Sequence, residues 1–176
     1  MTKHDLTNSL FRFIFPNTSY IAQSGPERAF ADRIRPLLAG YFGHCFERLC
    51  RDALAGLYCD EGVTAAFEAG EYWDSKTRID VVGRRDDGTV DIGECKWGAV
   101  RSPKSVVAEL EDKVRGYPGL AGATVVRRVF TRLPVKPHRG DPARPLRWYS
   151  LHDLYGSSHS STPRTGTHRH QQRSRA

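Results

Sequence analysis

Asp87-Gly88 sits between two apolar runs, Thr77 to Gly83 and Val90 to Trp97, and limits this chain more than any other feature. Asp-Gly flanked by apolar runs is a strong short-range hairpin signal. Folding the two runs about Asp87 places opposite each other residues whose numbers sum to 174. Asp80 then lies opposite Glu94, and Val82 opposite Ile92. Side chains alternate along a strand, so Glu94 and Lys96 share a face while Cys95 points away.

Around this hairpin the sequence predicts an α/β domain. Tyr41 to Leu57 is helical, with Phe42, Phe46, Leu49, Ala53 and Leu57 as one buried stripe. Residues 27–39 also read as helix, which Pro36 interrupts or restarts. Leu10 to Phe15 is an apolar run too short for periodicity to decide helix or strand. Val63 to Trp73 is the strand before the hairpin, with Gly70 as a possible bulge. Residues 105–115 are a helix, with Ser105 as N-cap and Gly116 and Pro118 stopping it. Ala123 to Thr131 is a fourth strand, residues 133–145 a loop, and Leu146 to Leu151 a possible fifth strand. The order helix-strand-strand-strand-helix-strand suggests a mixed central sheet flanked by helices.

Charge and cysteine usage bound the function classes. The 176 residues carry a net charge of +7, but Gly156 to Ala176 holds four Arg and no acid, leaving +3 on the rest. Arg dominates the basic residues, which suits phosphate, although genomic base composition also produces that bias. Cys45, Cys50, Cys59 and Cys95 form no C-x-x-C pair, so zinc and thioredoxin-like chemistry find no support. Reduced, buried thiols in a cytoplasmic protein are the expectation. Apolar runs such as Phe13-Ile14-Phe15 fall far short of the ~20 residues that span a bilayer. The N-terminus has no apolar stretch of signal-peptide type. Neither membrane insertion nor export is expected.

Asp80, Glu94 and Lys96 gather at the open end of the hairpin, and this is where the chemistry lies. Opposed residues have Cβ atoms about 4.5–5.5 Å apart, so two carboxylates there repel each other. A divalent cation between them would remove that cost, and Lys96 would remove it in part. Magnesium takes one or two carboxylates, waters and phosphate oxygens, so the set suits metal-assisted phosphodiester hydrolysis. The Cys95 carbonyl could complete the metal shell. Glu47, beside the helical stripe and one turn after Gly43, could point into the same site, or simply pair with Arg51 at i,i+4.

Gly43-His44-Cys45-Phe46-Glu47, Tyr72-Trp73, Ile79-Asp80-Val81-Val82 and Gly93-Glu94-Cys95-Lys96-Trp97 together resemble the PD-(D/E)XK nuclease superfamily. More narrowly they resemble the C-terminal domain of archaeal-type AAA ATPases, domain of unknown function 234. The opening Leu10-Phe11-Arg12-Phe13 with Phe15-Pro16-Asn17, and the ending Trp148 to Tyr155, fit that family as well. The resemblance covers roughly residues 5–155, and Ile79 stands where the superfamily name has Pro.

The resemblance implies a restriction-endonuclease-like core. Asp80 and Glu94 become metal carboxylates for Mg2+ or Mn2+, Lys96 the catalytic lysine, and Glu47 the supporting acid of the first helix. Trp97 becomes core packing or a stacking surface near a base. Residues 1–36 are then a helical approach segment, 37–155 the nuclease-like domain, and 156–176 a disordered basic tail. Arg164, Arg169, Arg173 and Arg175 of that tail would bind DNA phosphates nonspecifically. The sequence contains no Gly-x-x-x-x-Gly-Lys-Ser/Thr, so this chain is not expected to hydrolyse ATP. A separate AAA ATPase is a possible partner. A metal-dependent DNA endonuclease is the leading reading. A catalytically silent nuclease-fold module that binds an ATPase or DNA is the alternative.

Overall fold

The structure, a computed structural model, describes residues 10–138 and 143–156. The arginines assigned to the tail lie outside the described residues. From Leu10 to Asp60 the chain is helical apart from a break at Gly25. A π-helical turn over Leu10–Ile14 and a 3-10 turn over Phe15–Asn17 lead into α1 (Thr18–Ser24) and α2 (Pro26–Ala29). A second π-helical turn, Phe30–Ile34, feeds α3 (Arg35–Asp60). Pro36 therefore opens α3 in its first turn. A proline is tolerated there because the N–H it lacks would have had no helical partner. The expected boundary between residues 36 and 37 thus falls inside a helix.

The sheet has five strands: β1 (Phe67–Trp73), β2 (Arg78–Arg85), β3 (Thr89–Lys96), β4 (Thr124–Thr131) and β5 (Leu146–Ser150). They lie side by side in chain order. β1, β2 and β3 are antiparallel neighbours, whereas β3, β4 and β5 are parallel. α4 (Pro103–Gly116) makes the crossover from β3 to β4, and α5 (Leu151–Gly156) follows β5. This is the mixed α/β sheet flanked by helices that the element order predicts. α4 starts two residues before Ser105, because Pro103 fits its first turn. Ser102 is the N-cap, its Oγ accepting the Ser105 N–H at 3.2 Å. Among the described residues no helix is long and apolar enough to cross a membrane.

The hairpin register is the one set by the turn. Val81 pairs with Gly93, Val82 with Ile92, Gly83 with Asp91 and Arg84 with Val90, each pair summing to 174. The Gly88 N–H closes the turn on the Arg85 carbonyl at 3.2 Å, with Gly88 at φ 79°, a conformation that favours glycine.

Each sheet face buries its own cluster. On one face Phe46, Cys50, Leu54, Leu57 and Tyr58 of α3 pack on Val81 and Phe130. On the other, Val106, Leu110 and Val114 of α4 pack on Ile79, Val82, Val90, Ile92 and Val129. The buried stripe of α3 is rotated from the expected one: Cys50 and Leu54 are central, Leu49 and Ala53 only flank it, and Phe42 is exposed. Of the four thiols, Cys50 is buried and Cys95 half-buried. Cys45 and Cys59 are exposed on the outer side of α3, contrary to expectation.

The C-terminal end of α3 is clamped to the sheet by charge. Arg128 of β4 is fully buried. Its Nε donates to Asp91 at 2.6 Å, and its Nη atoms hold both oxygens of Glu61 at 2.6 and 2.8 Å. Tyr58 Oη donates to Asp91 at 2.7 Å and Tyr149 Oη to Glu61 at 2.6 Å. Burial alone would raise the Glu61 pKa, but the Arg128 and Tyr149 hydrogen bonds pull it from 4.5 down to about 2. An acid whose folded pKa is depressed adds stability that is present above its unfolded pKa and lost as pH falls through the folded one. The urea midpoint should therefore fall as pH drops from about 4.5 towards 2, and less steeply in Glu61→Gln. An equal slope in the variant would assign the acid sensitivity to other carboxylates.

Candidate metal and phosphodiester site

The antiparallel pairing of β2 and β3 ends at Val81 and Gly93, so Asp80 and Glu94 stand at the next step, where the strands part. A bulge sits at the same point. Gly70 pairs with Val82 and Tyr72 with Ile79, so Asp80 and Val81 together oppose the single residue Glu71. A bulge increases local twist and re-aims a side chain. Here it breaks the alternation: Ile79 and Val82, three apart, pack in one cluster while Val81 packs in the other. The extra residue lies in β2 and not at Gly70.

Three main-chain features fix Asp80. Its carbonyl accepts from Arg51 Nη1 of α3 at 2.9 Å. Its carboxylate Oδ2 accepts the Cys95 N–H at 3.0 Å. Gly93 lets the strands approach, since a Cβ there would lie 2.8 Å from Val81 Cβ. Asp80 is 6% exposed. Among the described residues no lysine, arginine or histidine forms an ion pair with its carboxylate.

Glu94 is buried, 2% exposed, on the α4 face. Lys96 Nζ is 2.7 Å from its Oε1, and Lys113 Nζ of α4 holds its Oε2. Burial, then the Asp80 charge, raise its pKa, and the two lysines partly offset them. Lys96 also donates to Glu109 of α4 at 2.8 Å. Burial would lower the Lys96 pKa, but Glu109 and Glu94 outweigh it and raise the value, so the ammonium is firmly charged. The same ammonium lowers the Glu109 pKa against the opposing effect of burial.

The structure thus brings Glu94 and Lys96 into direct contact, with Asp80 close enough to act on Glu94 electrostatically. Glu47 is engaged elsewhere: its Oε2 accepts from Arg78 at 2.7 Å and lies 3.5 Å from His44. Arg51, the expected helical partner of Glu47, reaches the Asp80 carbonyl and Glu71 instead. Gly43 has open space where a Cβ would stand, so close backbone approach does not explain it. The Cys95 side chain faces the α3 cluster, and its thiol pKa is raised by burial and by Cys50. The Trp97 ring packs on Phe42 and Phe46 at 5.6 and 5.8 Å, with the Arg132 guanidinium 5.1 Å over it.

Lys113 and Glu109 escape sequence reasoning. Their only local signal is a Glu–Lys pair at i,i+4 flanking the buried Leu110 and Val114, a pattern common on solvated helices.

Among the described residues no three His, Cys, Asp or Glu side chains form a metal-binding group. The oxygens that could hold a hard divalent cation are the carboxylates of Asp80 and Glu94 and the Cys95 carbonyl. In an extended strand the N–H and C=O of one residue point the same way, so that carbonyl faces the gap in which Asp80 takes the Cys95 N–H. Lys96 and Lys113 serve Glu94 and Glu109, and Arg51 reaches the Asp80 carbonyl; among the described residues none of the three pairs with the Asp80 carboxylate. Burying an uncompensated carboxylate is costly, and a bound cation relieves that cost.

A family model, DUF234, described as "Archaea bacterial proteins of unknown function", matches residues 10–114. A search of curated proteins gives no match.

Proposed function

The chain belongs to the DUF234 family, and from that premise we propose that it is a metal-dependent DNA endonuclease domain of PD-(D/E)XK type. The observation that carries the reading is the bulged opening of the β2–β3 hairpin. It holds a buried Asp80, whose carboxylate has no counter-cation among the described residues, close to Glu94 and Lys96.

In this reading Asp80, Glu94 and the Cys95 carbonyl hold Mg2+ or Mn2+. The ion, when bound, polarises a phosphoryl oxygen and lowers the pKa of a bound water. Lys96 supplies a preformed positive charge for the oxygens on which negative charge grows. Arg51 keeps Asp80 aimed by holding its carbonyl. Glu47 is held by Arg78, which is exposed and able to meet a phosphate. A separate AAA ATPase would supply any nucleotide-driven step.

A second reading, a catalytically silent module that binds DNA or an ATPase, is favoured by one observation. Both Glu94 oxygens are already held by lysines. Incubation of the purified chain with linear, circular and branched DNA separates the two. The endonuclease reading expects phosphodiester cleavage with Mg2+ or Mn2+ that EDTA stops. A folded protein that cuts none of the three with either ion would be the silent module.

A further inference from the structure

We propose that Lys113 is an internal cation that occupies Glu94 in the metal-free protein, and that a divalent ion displaces it onto Glu109. The proposal rests on the metal reading of Asp80 and Glu94 given above.

Lys96 takes Oε1 of Glu94 and Lys113 takes Oε2, so the carboxylate has no oxygen left over. An incoming divalent ion would share an oxygen with an ammonium, and two cations that close repel strongly in a buried site. Lys96 and Lys113 are not equally placed to leave. Lys96 is anchored between Glu94 and Glu109, at 2.7 and 2.8 Å. Lys113 is already 3.9 Å from Glu109 Oε1, one turn back on the same helix. Glu109 gives Oε2 to Lys96, and its Oε1 is the oxygen nearer Lys113. The flanking Leu110 and Val114 are buried and hold the α4 backbone still. The transfer is therefore a rotation of one flexible four-carbon stem. The metal affinity of the site is then set by competition, with Glu94 and Glu109 as alternative partners for one ammonium.

This predicts effects of opposite sign from the two variants. Lys113→Met keeps the apolar stem and removes the competitor. Glu109→Gln removes the acceptor and leaves Lys113 on Glu94. Mn2+ is titrated calorimetrically into the full chain after removal of trace metal, with circular dichroism to check folding. Lys113→Met should tighten Mn2+ binding by about tenfold, the lower end of what neighbours of metal ligands contribute. Glu109→Gln should weaken it. Should Lys113→Met fail to fold, the sign in Glu109→Gln decides. Mn2+ binding by Lys113→Met alone, with none by the wild type, would also support the proposal. If the wild type binds Mn2+ and neither variant changes the affinity, Lys113 is a structural ion pair: the proposal falls and the metal reading stands. Weaker binding by Lys113→Met overturns it too. No binding by wild type or Lys113→Met removes both.

Discussion

Arg128→Met should lower the unfolding free energy by about 3–5 kcal/mol, the cost of leaving buried charges without their partner. The guanidinium serves two acids at once. It donates to Asp91, itself fully buried, and makes a two-pronged bond to Glu61. Methionine fills similar volume but leaves Asp91, among the described residues, with the Tyr58 hydroxyl alone. Arg128→Lys should recover little of the loss, because one ammonium cannot reproduce a planar fork spanning two carboxylates. Urea denaturation followed by circular dichroism measures this. A loss below about 1 kcal/mol for Arg128→Met would mean that water reaches the acids and replaces the arginine. Tyr149→Phe, which removes one donor from Glu61, should cost about 1 kcal/mol and serves as a milder test of the same cluster.

Asp80→Ala and Glu94→Ala should abolish metal-dependent DNA cleavage, if the endonuclease reading holds. Both acids are assigned to the metal, and neither oxygen set can be replaced by the other. Lys96→Ala should leave metal binding in place and reduce the rate by about 10²–10³, the scale of losing one preformed charge stabiliser. Glu47→Gln should have the smallest effect, since Glu47 pairs with Arg78 and not with the carboxylates. The effects on folding should differ between the two acids. Asp80→Asn removes a buried charge with no counter-cation among the described residues, so metal-free stability should hold or rise. Glu94→Ala strips two lysines of a shared partner and should destabilise. Cleavage rates from purified variants, beside their thermal melts, check both orderings. Retained cleavage in Asp80→Ala would dissociate the activity from this site.

The hairpin was legible because its information is local. Asp87-Gly88 fixes a turn, and the turn fixes the antiparallel register from Arg84–Val90 to Val81–Gly93, one step short of Asp80 and Glu94. The helices and strands were legible for a similar reason, since periodicity acts over a few residues. Glu47 shows where that reasoning stops. A carboxylate next to a buried helical stripe has several possible partners, and only the angle of α3 on the sheet selects Arg78 over Arg51. The Gly70 bulge shows the same limit: the sequence signals an irregularity in β1, yet the extra residue belongs to β2, where Arg51 can take up the freed Asp80 carbonyl.

By itself the sequence determined the order of the first four strands, the hairpin register and the placing of Glu94 and Lys96 on one face of β3. The tertiary structure decided which charges meet there. Lys113 reaches Glu94 across 19 residues, Arg128 reaches Asp91 across 37 and Glu61 across 67. No local rule links such positions, because Arg128 meets Asp91 only once β3 and β4 pair, and the other two pairs form only once α3 and α4 have docked on the sheet. Desolvation then makes these contacts decisive. An ion pair that is nearly neutral on an isolated helix becomes, beside a buried carboxylate, part of a cluster in which Lys96 and Lys113 share Glu94.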